Sequence, residues 1–282
     1  MSRLTTAKGA AVFPAGSFYP LRFVHSLLSI CLSKESFKLF THTPVQSMHR
    51  DEETGKWTLQ TSKGPLSASK VLLATNGYSR ALLPSLDDFL LSHRAHCSSI
   101  IPPTNYQGEH QLQSTCSIVR QEDDYEYLVQ RPSSSSDNAF ILGGGNTQMD
   151  RHQEIDTYDD AYVNPALGKY FAAYPEKSFE GWEPGAGKLS HVWTGIQGYT
   201  RDSLPIVGES FEQRGLYLCL GHHGHGMARA ATCARGVANL LSLEKQKLLD
   251  DYQWSCVTNL PKCYRWTKKR AARKDVDHRL DF

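Results

Sequence analysis

The chain has 282 residues, 40% of them apolar and 21% charged. This ordinary globular balance argues against wholesale disorder and leaves length for two modest domains or one large one. Net charge is +2, but Lys262–Phe282 holds eight Lys/Arg against three Asp, so a basic end follows a body of −3, a distribution unlike that of a nucleic-acid-binding domain.

No apolar run approaches the roughly 18 residues of a bilayer-spanning helix, and the opening residues MSRLTTAKGAAVFPAGSF lack the compact apolar stretch of a secretory signal. Seven cysteines with no CxxC pair argue against a zinc ribbon or a disulfide framework and point to a reducing compartment.

Residues 21–32 have the spacing of a helix with one apolar face, Leu21, Val24, Leu27, Leu28 and Cys31, with Pro20 just before it. Short strands are expected at Phe37–Phe40, Val45–Arg50, Trp57–Thr61 and Leu66–Ser69, with turns at Asp51–Gly55 and Lys63-Gly64-Pro65. Val71–Ala74 is a continuous apolar run, short enough for a strand buried on both faces of a parallel sheet, and Thr75-Asn76-Gly77 closes it. Beyond residue 90 the texture changes. Strand-like pieces at His93–Ile101, Ser114–Arg120, Tyr125–Gln130 and Ala139–Leu142 are separated by polar breaks, and Ser133–Ser136 reads as a surface loop. Residues 158–174 read as a helix with Leu167, Tyr170, Phe171 and Tyr174 on one side. From residue 191 the first texture returns. Val192-Trp193, Ile206-Val207 and Leu216–Leu220 read as strands, and 225–243 as a helix with Met227, Ala230, Cys233, Val237 and Leu240 on its apolar face.

Three stretches carry candidate chemistry. Asn76-Gly77, after a buried strand, puts backbone N–H groups at the carboxyl edge of a sheet, where nucleotides lie in open α/β folds; the alternative is an ordinary strand-to-loop turn. Gly221-His222-His223-Gly224-His225-Gly226-Met227 joins a buried strand to a helix. Its glycines permit close approach, and the helix start suits a phosphate or a developing anion. The three histidines lack a neighbouring carboxylate or helical spacing, so a metal is the weaker reading and none is expected. Trp193–Gly208 reads either as a loop lying against a flat ligand or as a solvated hairpin. Gly143-Gly144-Gly145 is not a P-loop, because no Gly-Lys-Ser/Thr follows; it marks a close approach or a simple bulge.

Taken in order, FPAGSFYP (13–20), THTPV (41–45), VLLATNGY (71–78), WTGIQGYTRDSLPIVGE (193–209) and LYLCLGHHGHGM (216–227) resemble FAD-dependent oxidoreductases of the D-amino-acid oxidase, glycine oxidase and sarcosine oxidase family, and its fungal branch in particular. The resemblance covers most of residues 9–243. It implies that Val45 meets the adenine, that Ala74, Thr75, Asn76 and Gly77 lie by the adenosine and pyrophosphate, that Gly195 and Gln197 sit near the isoalloxazine, and that Gly224, His225, Gly226 and Met227 run under its pyrimidine edge. Tyr199, His223 and His225 are pocket candidates, with no catalytic residue assigned.

Three departures stand out. The family opens with a βαβ unit carrying a Gly-x-Gly-x-x-Gly turn, and nothing here matches it, so the chain is expected to begin well inside the family's length. Gln197 stands where some members attach FAD through a Cys, so the cofactor is expected to be non-covalent. Gln197 also stands near where amino-acid oxidases carry a carboxylate-binding Arg; Arg94, Arg120, Arg131 and Arg201 are the substitutes available.

The expected fold is α+β: an incomplete α/β FAD-binding domain from residues 1–90 and 191–250, a mostly antiparallel β substrate domain at 91–190, and a basic C-terminal tail at 251–282. Within that tail, Lys268–Lys274 reads as an import signal or acidic-partner patch or as plain solvated chain. The implied activity is oxidation of an amine or amino-acid-like C–N bond by hydride transfer to flavin. The alternative is a truncated, flavin-free pseudo-enzyme or interaction module of the same fold. The expected partner is a small amine or amino-acid-like molecule, with no nucleic acid and no membrane; the oligomeric state is open. Leu280-Asp281-Phe282 is not a Ser-Lys-Leu ending, so the cytoplasm is the expected location.

Overall fold

A computed structural model describes residues 3–121, 124–135, 137–243 and 249–279. The expectation made on Leu280–Phe282 and the tip residue Ser136 lie outside the described residues. The chain is α+β and divides into two compact units. One comprises the stretch ending at Pro44, Cys97–Gly145 and Asn164–Val192; the other comprises Val45–His96, Asn146–Val163 and the stretch from Trp193 on.

The first unit opens with helix α1 (Pro20–Leu32), one residue longer than the 21–32 the spacing predicts because Pro20 is its first residue. It buries none of its residues. Phe37–Phe40 carries no strand; a short run without a ladder partner gains nothing from being extended. Later come β5 (Leu90–Ile101, whose second half belongs here), β6 (Cys116–Gln121), β7 (Asp124–Gln130) and β8 (Phe140–Gly144), which form an antiparallel sheet in the order β6-β7-β8-β5. Its buried face is aromatic: Tyr106, Phe140, Phe179 and Trp182 stack edge-on or tilted, with the Tyr106 and Phe140 centroids 5.7 Å apart. The triple glycine is a site of close approach, since a Cβ on Gly143 would fall inside the Tyr127 ring.

Helix α3 runs over Pro165–Ser178, not 158–174. Its buried face, Leu167, Phe171 and Tyr174, is the expected one, but its start lies seven residues later than the periodicity suggests. The Asp159 carboxylate accepts from the backbone N–H groups of Ala161 and Tyr162, a local turn that competes with helix. Asn164 then caps the helix by accepting from Ala166 N–H, with Pro165 at its first position.

The second unit contains an antiparallel meander, β1 (Val45–Arg50), β2 (Trp57–Thr61) and β3 (Gly64–Ala68). It is followed by β4 (Val71–Leu73) and a short helix α2 (Ser79–Leu82). β9 (Lys188–Thr200) enters this unit at Trp193 and leads through a turn to β10 (Ile206–Glu209) and β11 (Leu216–Leu220). Trp193 is strand, as its spacing predicts, and the strand continues through Thr200, a stretch that the sequence offers as loop or hairpin. β4 and β11 pair in parallel, Leu216 against Val71 and Leu218 against Leu73, and β10 runs antiparallel on the other side of β11. The two apolar runs, about 140 residues apart in sequence, are thus neighbours as expected.

One face of this sheet, with Leu216, Leu218 and Leu220, packs on Trp57, Leu86, Phe89 and Trp266. The other, with Val207 and Tyr217, packs on Cys233, Val237 and Leu240 of α4 (Gly226–Leu241) and on Trp254 of α5 (Asp251–Thr258). Residues 251–271, through α6 (Lys268–Ala271), are packed in part against this unit. Trp254, Trp266 and Arg270 are buried, and the Lys268–Lys274 patch is interrupted by a guanidinium that faces inward. Among the described residues, no helix is long and apolar enough to cross a membrane.

Candidate functional site

Two loops and the last residues of β9 meet at the carboxyl end of the parallel pair. β4 ends at Leu73 and delivers exposed Ala74 and Thr75, then Asn76 with φ 45° and buried Gly77. The Asn76 side-chain oxygen accepts from Gly221 N–H (2.9 Å) and His222 N–H (3.4 Å), which ties the loop after β4 to the loop after β11. A Cβ on Gly77 would collide with the Gln197 carbonyl, and one on Gly198 would press on Asn76 Oδ1, so β9 lies directly against the same turn. His223 N–H donates to the Gly198 carbonyl at 2.9 Å. The structure thereby brings together Asn76, Gly77, Gln197 and the Gly221–Gly226 turn. Val45 stands instead at the start of β1, half-buried and paired with Thr61 in the meander.

Around this junction the accessible surface is glycine-rich. Gly195 has nothing within 4 Å of where a Cβ would sit, and Gly224, His225 and Met227 are exposed. Helix α4 opens here with no side-chain cap and no acidic residue in its first turn. Its leading N–H groups are therefore free of a side-chain partner and carry the positive end of a 16-residue helix. This edge suits a polar or anionic ring edge, and the bare Gly195 leaves room for a flat body beside it. The residues present thus fit a flavin.

Under the turn lies a buried aromatic group. The Tyr199 ring stands 5.4 Å from His93, edge-on, and 4.7 Å from His223. Its hydroxyl donates to Gln197 Oε1 at 2.8 Å. His93 was read only as the start of a strand; two-residue alternation along β5 is the one signal that turns it to the same side as Ser99. Burial pushes the His223 imidazole down to about 4 and that of His93 down to about 3, so both rings are neutral at pH 7. In the unfolded chain each binds a proton near its ordinary 6.5. The unfolded state then holds more protons below that value, and stability falls as the pH drops from about 6.5 toward 4, by up to about 1.4 kcal/mol per pH unit for each ring. Urea midpoints are expected to be lower at pH 5 than at pH 7, with a smaller difference in His223→Phe. An equal difference in the variant would exclude His223 as a source.

The four arginines considered for carboxylate recognition are all engaged. Arg94 bonds to Glu154 at 2.7 Å, Arg120 to Asp124 and Glu126, Arg131 to Asp137, and Arg201 to the Asp88 carbonyl. The glycines of the turn are not equivalent. Gly224 has φ +69° with the Tyr199 hydroxyl 3.1 Å from a Cβ position, whereas Gly226 has ordinary φ and its nearest neighbour at 3.4 Å. Gly224→Val is expected to lower stability by about 1–3 kcal/mol and Gly226→Val by much less, as read by urea denaturation. Equal losses would contradict the turn geometry.

A family model described as "FAD dependent oxidoreductase" matches residues 2–240. Among curated proteins, the probable oxidoreductase OrdL of Haemophilus influenzae is 22% identical over 234 residues, covering 83% of this chain and 49% of the relative. Among solved structures, glycine oxidase from Geobacillus kaustophilus superposes with a TM-score of 0.53 at 21% identity, over 76% of this chain and 51% of that one. Fructosyl amine:oxygen oxidoreductase (Amadoriase I) from Aspergillus fumigatus superposes with a TM-score of 0.58 at 14% identity, over 82% and 50%. At these identities the superpositions establish the fold. The chain spans about half the length of each of these relatives.

Proposed function

Because the chain belongs to the FAD-dependent oxidoreductase family, we propose that it takes part in flavin-dependent oxidation of an amine or amino-acid-like C–N bond, with FAD held non-covalently by the second unit. The observation that carries this reading is the uncapped start of α4, whose preceding turn is tied through Asn76 to the end of a parallel strand and through His223 to Gly198 of β9. When bound, FAD supplies the acceptor for a hydride from the substrate carbon next to nitrogen. The chain's own part is to hold and orient. Ala74, Thr75, Asn76 and Gly77 border the adenosine and pyrophosphate, and Val45 borders the adenine. Gly195 and Gln197 flank the ring system, and Gly224, His225, Gly226 and Met227 turn N–H groups to its pyrimidine edge, where negative charge is favoured on reduction.

The substrate is a small amine. With Arg94, Arg120, Arg131 and Arg201 committed to intramolecular partners, a guanidinium clamp for a carboxylate is not part of the proposal. The reaction is placed in the cytoplasm; punctate co-localisation of a tagged protein with peroxisomes would contradict that. The test of the site is quenching of FAD fluorescence by the wild type and by Gly226→Val, a substitution the turn itself accommodates. Saturable quenching that is lost in Gly226→Val is expected. Equal quenching by both proteins overturns the placement. No quenching at any FAD concentration favours the second reading, a flavin-free interaction module, to which exposed Leu21, Val24 and Leu27 on the apolar face of α1 also point.

A further inference from the structure

The Gln197 carboxamide is held at one end only. Its Oε1 accepts the hydrogen bond from Tyr199, and among the described residues its Nε2 has no protein partner. Gln197 is half-buried, and its Nε2 is not one of the enclosed, unpartnered polar atoms, so the amide N–H groups face open space. Tyr199, by contrast, is fixed. It is 3% exposed, wedged between the His93 and His223 rings, and roofed by Gly224. In the structure the phenol O–H donates to the oxygen end of the amide. The phenol oxygen can also accept, so a reversed carboxamide would need a second acceptor for the phenol proton. The observed donation leaves the NH2 group outward.

We propose that Tyr199 is a positioning residue: it locks the Gln197 carboxamide with its NH2 group turned outward, where it donates a hydrogen bond to an uncharged ring carbonyl of the flavin. This rests on the placement of FAD given above. A donor set in advance by a buried partner loses little freedom when the ligand arrives. It is also neutral, so it matches a carbonyl oxygen without the charge that a carboxylate would call for. Tyr199 touches no ligand in this scheme and acts through Gln197.

The experiment uses Tyr199→Phe, which keeps the ring in its wedge and removes only the hydroxyl, with Gln197→Leu and the double variant. FAD affinity is read by fluorescence quenching. Each single substitution is expected to weaken FAD binding about three- to tenfold, the range of one neutral hydrogen bond. The double variant is expected to be no weaker than Gln197→Leu, because Tyr199 has nothing left to position. In the nitrogen–proton NMR spectrum, the Gln197 side-chain amide, identified by its loss in Gln197→Leu, is expected to move in Tyr199→Phe. Additive losses in the double variant, unchanged FAD affinity in Tyr199→Phe, or an unmoved amide signal each overturn the proposal. If the wild type binds no FAD, the functional reading fails and the flavin half of the proposal is overturned with it, while the amide signal still reports separately on the Tyr199–Gln197 lock.

Discussion

Arg270→Ala is expected to lower the stability of the protein by about 3–5 kcal/mol, the range found when one partner of a buried ion pair is removed. The guanidinium is 6% exposed and spends its donors on five acceptors. Nε and Nη2 reach the two oxygens of Asp202 at 2.9 Å, Nη1 reaches the Pro205 and Tyr264 carbonyls, and Nη2 also reaches the Leu204 carbonyl. Without it, a carboxylate that is itself 4% exposed keeps only the Leu204 N–H at 3.3 Å and Arg273 at 4.0 Å, and three carbonyls lose a donor. Arg270→Lys should recover little, since one ammonium cannot span a bidentate carboxylate and three carbonyls. Urea denaturation of both variants measures this. A loss below about 1 kcal/mol in Arg270→Ala would put the pair in the class of surface ion pairs and return residues 251–279 to the role of a loosely attached tail.

That contact also marks the limit of what was legible in the sequence. The apolar runs Val71–Leu73 and Leu216–Leu220 announce themselves because a strand covered on both faces has no polar alternation, and their parallel pairing follows. The edge of α4 is legible because Gly224 and Gly226 puncture the pattern where the helix begins. Asp202 and Arg270, by contrast, are 68 residues apart in stretches that read as turn and as basic tail, and no local period signals that either is buried. The start of α3 was missed because the apolar spacing runs on past the Asp159 turn and the Asn164-Pro165 cap, which end it locally. β9 was missed for the opposite reason. Gly195 and Gly198 read as loop, yet both sit in a strand; at Gly198 the Asn76-Gly77 turn presses close and leaves no room for a side chain, whereas Gly195 faces open space. Glycine used for close approach looks, from sequence alone, like glycine used for turning.

A polypeptide of these 282 residues is expected to bind FAD far more weakly than a family member that carries a Gly-x-Gly-x-x-Gly turn, a motif these residues do not contain. The pyrophosphate of FAD carries two negative charges and is best received on a helix N-terminus. Among the longer helices, α3 and α5 already have leading N–H groups engaged by Asn164 and Asp250, and α1 opens on a proline, which removes a donor. α4 is free, but the proposed arrangement gives it to the flavin end of the ligand. The loop Ala74–Gly77 offers its own N–H groups, yet Asn76 spends its side chain on Gly221 and His222. Two or three charge-assisted hydrogen bonds at about 1.5–3 kcal/mol each are then missing. That is about 3–9 kcal/mol, on the order of a hundredfold to a millionfold in affinity. Calorimetry or flavin fluorescence is expected to give a dissociation constant well above micromolar. Micromolar or tighter binding would mean that the Asn76 junction and the start of α4 together receive the pyrophosphate, and that these 282 residues hold FAD without a glycine turn.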